Sequence, residues 1–163
     1  MNMQLSKTPI GLDGVPAAET VLSHVDGERG ELIIAGERVG DLARKAGFEG
    51  VTARLWSGGT GQPIGEAAVR AALGAGREHA FARLPDLLGT TRGLSIVDGF
   101  RAAIAGLRAE AGLAHEATIV GAFPVIAGAL VQRVKGNDPV APDPTASRSI
   151  AALSTSARGS RTR

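Results

Sequence analysis

From Ile119 to Val131 the chain reads IVGAFPVIAGALV, with no polar side chain until Gln132. Ile119, Phe123, Ile126, Ala127, Leu130 and Val134 fall at helical spacing, and nearly every position between them is apolar as well. A helix that is apolar on nearly all sides has no face to show to water, so other elements must wrap it. The run is shorter than the roughly 20 residues a membrane span needs, and Pro124 and Gly128 interrupt it. The pattern therefore predicts the central helix of a helical bundle. Pro124 marks either its first turn or a kink, because proline has no hydrogen to donate to the preceding turn. Gly136 ends it.

The wrapping elements are also legible. Ser95-Ile96-Val97-Asp98 is a capping box, followed by an apolar face of Ile96, Phe100, Ala103, Ile104, Leu107 and Ala111, with Gly112 as the stop. Ile104 and Leu107 are expected to share one core with Phe123, Ile126 and Leu130. Upstream, a helix from Glu66 carries Val69, Ala72 and Leu73 on one face. Phe81, Leu84 and Leu88 continue the stripe until Pro85 and Gly89 disturb it. Aromatic residues are 3% of the chain and glycines number 23, so the helices must pack closely through many small contacts. A chain of 163 residues has room for one such domain.

The first part of the chain has a different code. Val21, Leu22 and Val25 precede Asp26-Gly27 and Gly30, and the β-branched run Leu32-Ile33-Ile34 follows, which predicts a small hairpin. Val39, Leu42, Ala43 and Ala46 then read as a helix with Gly47 as a left-handed stop. Phe48, Val51 and Leu55 give a second short helix stopped by Gly58. SGGTGQPIG, from Ser57 to Gly65, is expected to be a loop; no Gly-Lys-Ser/Thr follows, so it lacks the lysine of a phosphate loop. The fold class expected is mainly α, a helical bundle with a small N-terminal β-hairpin.

Little chemistry is on offer. The absence of cysteine excludes disulfides, zinc-thiolate sites and thiol nucleophiles. His24, His79 and His115 show no i, i+4 metal spacing and read as surface, turn or capping residues. Ser154 and Ser156 have no neighbouring base. Arg92 and Arg101 read as solvated, and Asp41-Arg44-Lys45 and Glu66-Arg70 as surface pairs worth tenths of a kcal/mol. No catalytic, cofactor-binding or metal-binding residue is assigned, and no cofactor. The pI of about 9.7 reflects Arg148, Arg158, Arg161 and Arg163; without them 14 basic residues face 16 acidic ones, so nucleic acid is not the expected partner. Residues 148–163 read as a basic, disordered tail after a body spanning 1–147. MNMQLSKTPIGLDGV has no basic-then-apolar signal pattern, so a soluble cytoplasmic protein is expected, with no membrane partner.

One resemblance adds to this reading. Gly11-Leu12, Gly14-Val15, Ala18-Glu19-Thr20, Val25-Asp26-Gly27-Glu28, Leu32-Ile33, Asp41-Leu42-Ala43, Phe48-Glu49 and Leu55-Trp56 stand in the order seen in bacterial citrate and 2-methylcitrate synthases. Phe123-Pro124, Ile126-Ala127, Ala129, Arg133, Gly136, Pro139, Ala141-Pro142 and Pro144 continue it, so the similarity covers Gly11 to Ser147. It implies the N-terminal part of the family's large domain. Such enzymes condense acetyl-CoA or propionyl-CoA with oxaloacetate as homodimers, using two histidines, an aspartate and carboxylate-holding arginines that lie beyond the Pro-rich segment. The resemblance thus implies a truncated homologue that is inactive alone and inclined to self-associate. A subunit of a split enzyme and a non-catalytic helical interaction module are the alternatives.

Overall fold

A computed structural model describes residues 20–109 and 112–145 of the chain. Ala111, the basic tail and the first part of the resemblance lie outside the described residues. The expected hairpin is present and gains a third strand: β1 (Ser23–Asp26), β2 (Glu31–Ile34) and β3 (Glu37–Arg38) pair antiparallel in that order. Asp26 shapes the first turn, its Oδ1 accepting from the N–H groups of Glu28 (3.1 Å) and Arg29 (3.0 Å). The second turn is the two-residue Ala35-Gly36, with φ of 48° and 82° and Ile34 opposite Glu37. Consecutive left-handed residues match the twist of the flanking strands. At two residues, β3 is too short to show a strand pattern.

Six helices follow: α1 (Val39–Lys45), α2 (Phe48–Thr60), α3 (Glu66–Ala82), α4 (Leu84–Gly89), α5 (Ile96–Gly106) and α6 (His115–Val134). The fold is mainly α, as expected. Several boundaries differ. Gly47 is extended and is the N-cap of α2 rather than a left-handed stop. Gly58 lies inside α2, where a Cβ would meet Leu22 Cδ2 at 2.9 Å; the left-handed stop is Gly61, at φ 67°. The loop expected from Ser57 is thereby shortened. Its far end is tied down by Ser57, whose hydroxyl donates to Ala53 O (2.7 Å) and accepts from Ile64 N–H (2.8 Å). Pro85 opens α4 in its first turn, where its missing N–H costs nothing.

Ser95 caps α5, its Oγ accepting from Asp98 N–H at 3.1 Å. The other half of the box differs from expectation: the hydroxyl donates to Asp98 Oδ2 at 2.7 Å. The α5 helix ends at Gly106, and Leu107 is already extended, so the helical face does not run on to Gly112. The end of α6 is a Schellman motif. Gly136, at φ 74°, donates to Arg133 O (3.0 Å) while Asn137 donates to Gln132 O (2.9 Å).

The main core gathers Ala80, Leu84, Leu87, Ala103, Ala122, Val125, Ile126, Ala129 and Leu130, with Phe81, Leu88, Phe100, Ile104 and Leu107 packed against it. The expected union of the α5 and α6 faces is therefore present. Phe123 departs from it: it is 44% exposed, although its ring stacks at a tilt on Phe100 with centroids 5.2 Å apart. Ile119 is 38% exposed as well, because the face of α6 that is covered carries Ala122, Ile126 and Leu130. A smaller cluster of Ala53, Val69 and Leu73, joined by Trp56, Ile64 and Val120, seats α2 on α3.

What brings α3 and α6 together is the loss of side chains. A Cβ at Gly121 would stand 2.8 Å from Leu73 O, 2.9 Å from Gly76 C and 3.0 Å from Arg77 N. One at Gly76 would collide with the Ala117 carbonyl. These obstacles are backbone, which no rotamer change can move aside. Pro124 lies inside α6, not in its first turn. With His115 as its first residue, α6 reaches 20 residues, longer than the apolar run alone. By length and composition it is one helix that could cross a membrane; 56% of its most apolar window is buried inside the fold.

A contrast of two glycines tests this packing. Gly121→Ala should destabilise the protein by about 1–3 kcal/mol or more despite its better helix propensity. Gly59→Ala, in α2 with open space around its Cβ, should instead stabilise by about 0.5–1 kcal/mol. Urea unfolding followed by circular dichroism measures both; a harmless Gly121→Ala would mean that the two helices are not in backbone contact.

Candidate functional site

Two arginines, the buried Arg77 and the half-buried Arg133, make polar ties between segments far apart in sequence. Arg77 lies on α3 and is 3% exposed. Its Nη2 donates to Pro144 O at 3.0 Å, across 67 positions of sequence. Burial pushes its guanidinium below the usual arginine range, and the carboxylates of Glu49, Asp143 and Glu78 act against that. Glu49, in the first turn of α2, is itself 3% exposed. An arginine held in this way keeps its charge, since its ordinary value lies far above neutrality. The arrangement binds α2, α3 and the Pro-rich segment together.

Arg133, in the last turn of α6, does the same on the other side of the core. Its Nη1 donates to Thr91 Oγ1 (2.7 Å) and its Nη2 to Thr91 O (3.2 Å). Thr91 is fully buried in the turn between α4 and α5, and its own hydroxyl donates to Leu88 O at 2.9 Å. Gly99 allows α5 to come close, because a Cβ there would press on Leu130 Cδ2 at 3.3 Å. The sequence signal for Arg133 was its place after an otherwise apolar helix. For Arg77 there is no such signal, because it stands in the charged run Arg77-Glu78-His79 with nothing local to mark its partner.

The histidines are spread over three elements. His24 lies on β1 opposite Ile33 and is exposed. His79, in the last turn of α3, makes a 2.9 Å bond through Nε2 to Arg108 O. His115 opens α6 and borders a hollow of about 70 Å³ shared with Ile104, Leu107, Ala109, Thr118 and Ile119. His79 and His115 thus both flank the connection after α5. Among the described residues, no group of three or more His, Asp or Glu side chains is placed to hold a metal ion. Arg92 and Arg101 are exposed, the latter 3.8 Å from Asp98. The surface pairs form as expected, Arg70 reaching Glu66 at 2.9 Å and Arg44 reaching Asp41 at 2.5 Å.

A cleft of about 600 Å³ separates the sheet from α2, bordered by Leu22, Ala35, Ala53, Arg54, Ser57 and Ile64 among others. Its polar groups are engaged within the fold: Arg54 Nε donates to Glu37 Oε1 at 2.7 Å, and Ser57 holds the α2–α3 loop. Arg77 and Arg133 likewise hold segments of the fold in place.

Comparison with known proteins agrees with the resemblance in the sequence. The family profile described as "Citrate synthase, C-terminal domain" matches residues 11–159. The match runs past Ser147, where the family pattern was expected to stop. A citrate synthase from Haloferax volcanii is 46% identical over 56 residues, which are 34% of this chain and 14% of that protein. The aligned region is thus a small part of that relative's length.

The two kinds of arginine can be told apart by mutation. Arg133→Gln should cost roughly 2–4 kcal/mol, since it removes charged donors and leaves the buried Thr91 acceptors without them. Arg101→Gln, on the exposed side of α5, should change stability by less than about 0.5 kcal/mol. Chemical denaturation of both variants is the check; equal effects would place Arg133 on a solvated surface.

Proposed function

The chain belongs to the citrate synthase family, and on that premise we propose that it supplies the N-terminal structural part of the large domain of an acyl-CoA:oxaloacetate condensing enzyme. In this reading acetyl-CoA or propionyl-CoA and oxaloacetate are bound in a complete enzyme, a cytoplasmic homodimer serving the tricarboxylic acid cycle. The residues of this sequence do not perform the condensation by themselves. Carbon–carbon bond formation at the acyl α-carbon needs a base within hydrogen-bond reach of that carbon's proton. It also needs donors aimed at the thioester oxygen as it becomes an enolate.

The observation that supports this reading is the employment of the polar groups. Arg77 and Arg133 hold main-chain carbonyls, His79 is bonded to a backbone oxygen, and His24 and His115 stand on separate elements. Exposed apolar residues on the outer sides of α5 and α6, such as Val97, Phe123 and Val134, favour a complementary chain or a second copy. That feature favours the split-subunit form of the proposal over a self-sufficient module.

Purified protein incubated with oxaloacetate and either acetyl-CoA or propionyl-CoA should release no free CoA above a no-protein control. Each lost donor costs about 10²–10³ in rate, so the loss of base and donors together leaves nothing to detect. Turnover by the isolated chain would overturn the proposal. Turnover that arises only on mixing with a chain carrying the histidines and aspartate would establish the split enzyme.

A further inference from the structure

The segment from Asn137 to Thr145 leaves α6 and returns to α3. We propose that it is a strap, seated on Gly74 and clamped by Arg77, which sets the direction in which the chain leaves Thr145. Pro139, Pro142 and Pro144 fix their own φ angles and donate no backbone hydrogen, so the segment is stiff without belonging to a helix or sheet. Both of its ends are held. At the first, Asn137 Nδ2 donates to the buried Gln132 Oε1 at 3.2 Å, beside the Schellman contacts of its backbone.

At the second, the Pro144 carbonyl accepts from Arg77 and lies where any side chain at position 74 would be. Asp143 closes the turn that follows, its Oδ1 accepting from Thr145 N–H (2.8 Å) and Thr145 Oγ1 (2.7 Å). The same carboxylate is one of those acting on Arg77. The coupling runs in both directions. Lifting the strap would strip a buried guanidinium of a carbonyl partner and one favourable carboxylate, which is costly for an interior charge. Removing Arg77 would leave the strap without its long-range tie. Arg77 is therefore a positioning residue.

If catalytic groups follow the Pro-rich segment, the clamp aligns them with the α3–α6 core. That consequence rests on the function proposed above, whereas the clamp itself does not. The chain has no cysteine, so nitroxides attached at Ala75→Cys on α3 and Ala141→Cys in the strap report their separation cleanly by pulsed electron paramagnetic resonance. The parent should give one narrow distance. Gly74→Ala, whose added Cβ would first meet Pro144 backbone atoms, should broaden the distribution and move it to longer distance while the helical circular dichroism stays unchanged.

Arg77→Gln should do the same. If it loses helical structure instead, Gly74→Ala decides the matter. A distribution left narrow by Gly74→Ala, or by folded Arg77→Gln, would overturn the strap. No readout here depends on CoA release, so failure of the catalytic reading would leave this result standing.

Discussion

The close crossing of α3 and α6 is the contact on which the rest depends. Gly76 and Gly121 let two backbones meet where side chains would normally separate them. That approach brings Ala80 and Ala122 into the main core and places Leu73 beside Val120 in the smaller one. Close-packed interiors derive much of their cohesion from many weak contacts at short range. A chain this poor in aromatic residues gains it from proximity rather than from large side chains. The apolar character of α6 follows from the same geometry, since α3 covers one flank and α5 another.

Arginine side chains perform a second task around that crossing. Arg77 on α3 and Arg133 on α6 each reach out to a main-chain carbonyl of a segment outside the helices. One holds the Pro-rich segment and the other the turn around Thr91. Charge-assisted bonds to carbonyls are directional, so they fix a loop in a way that hydrophobic contact does not. In both cases a neighbouring glycine, Gly74 or Gly99, lets the held segment or its helix come close. The described part of the chain thus uses these two arginines for architecture.

Much of the fold was legible because local codes and tertiary structure agree. The Asp26-Gly27 turn, the Ser95 cap and the Gly136 stop act through backbone chemistry that neighbouring residues reveal, whereas Pro85, read as a disturbance of one stripe, opens a separate helix. Two of the misreadings share one cause: a glycine has several uses that look alike in sequence. Gly58 read as a stop but makes room for Leu22, while the true left-handed residue is Gly61. Gly47 read as a stop and is an extended N-cap. The partners of Arg77 and Arg133 lie 67 and 42 positions away, beyond any local pattern. The family was legible, since motif order survives where contacts cannot be seen.

The dependence of the fold on one backbone contact has a direct test in a double-mutant cycle of Gly76→Ala and Gly121→Ala, with unfolding free energies measured for all four proteins. Both changes break the same contact, so the second should cost far less once the first is present. The account predicts that the double variant is more stable than the sum of the single losses implies, by more than about 1 kcal/mol. Additivity within about 0.5 kcal/mol would show that the two glycines act independently, and would contradict a single α3–α6 crossing as the constraint on the fold.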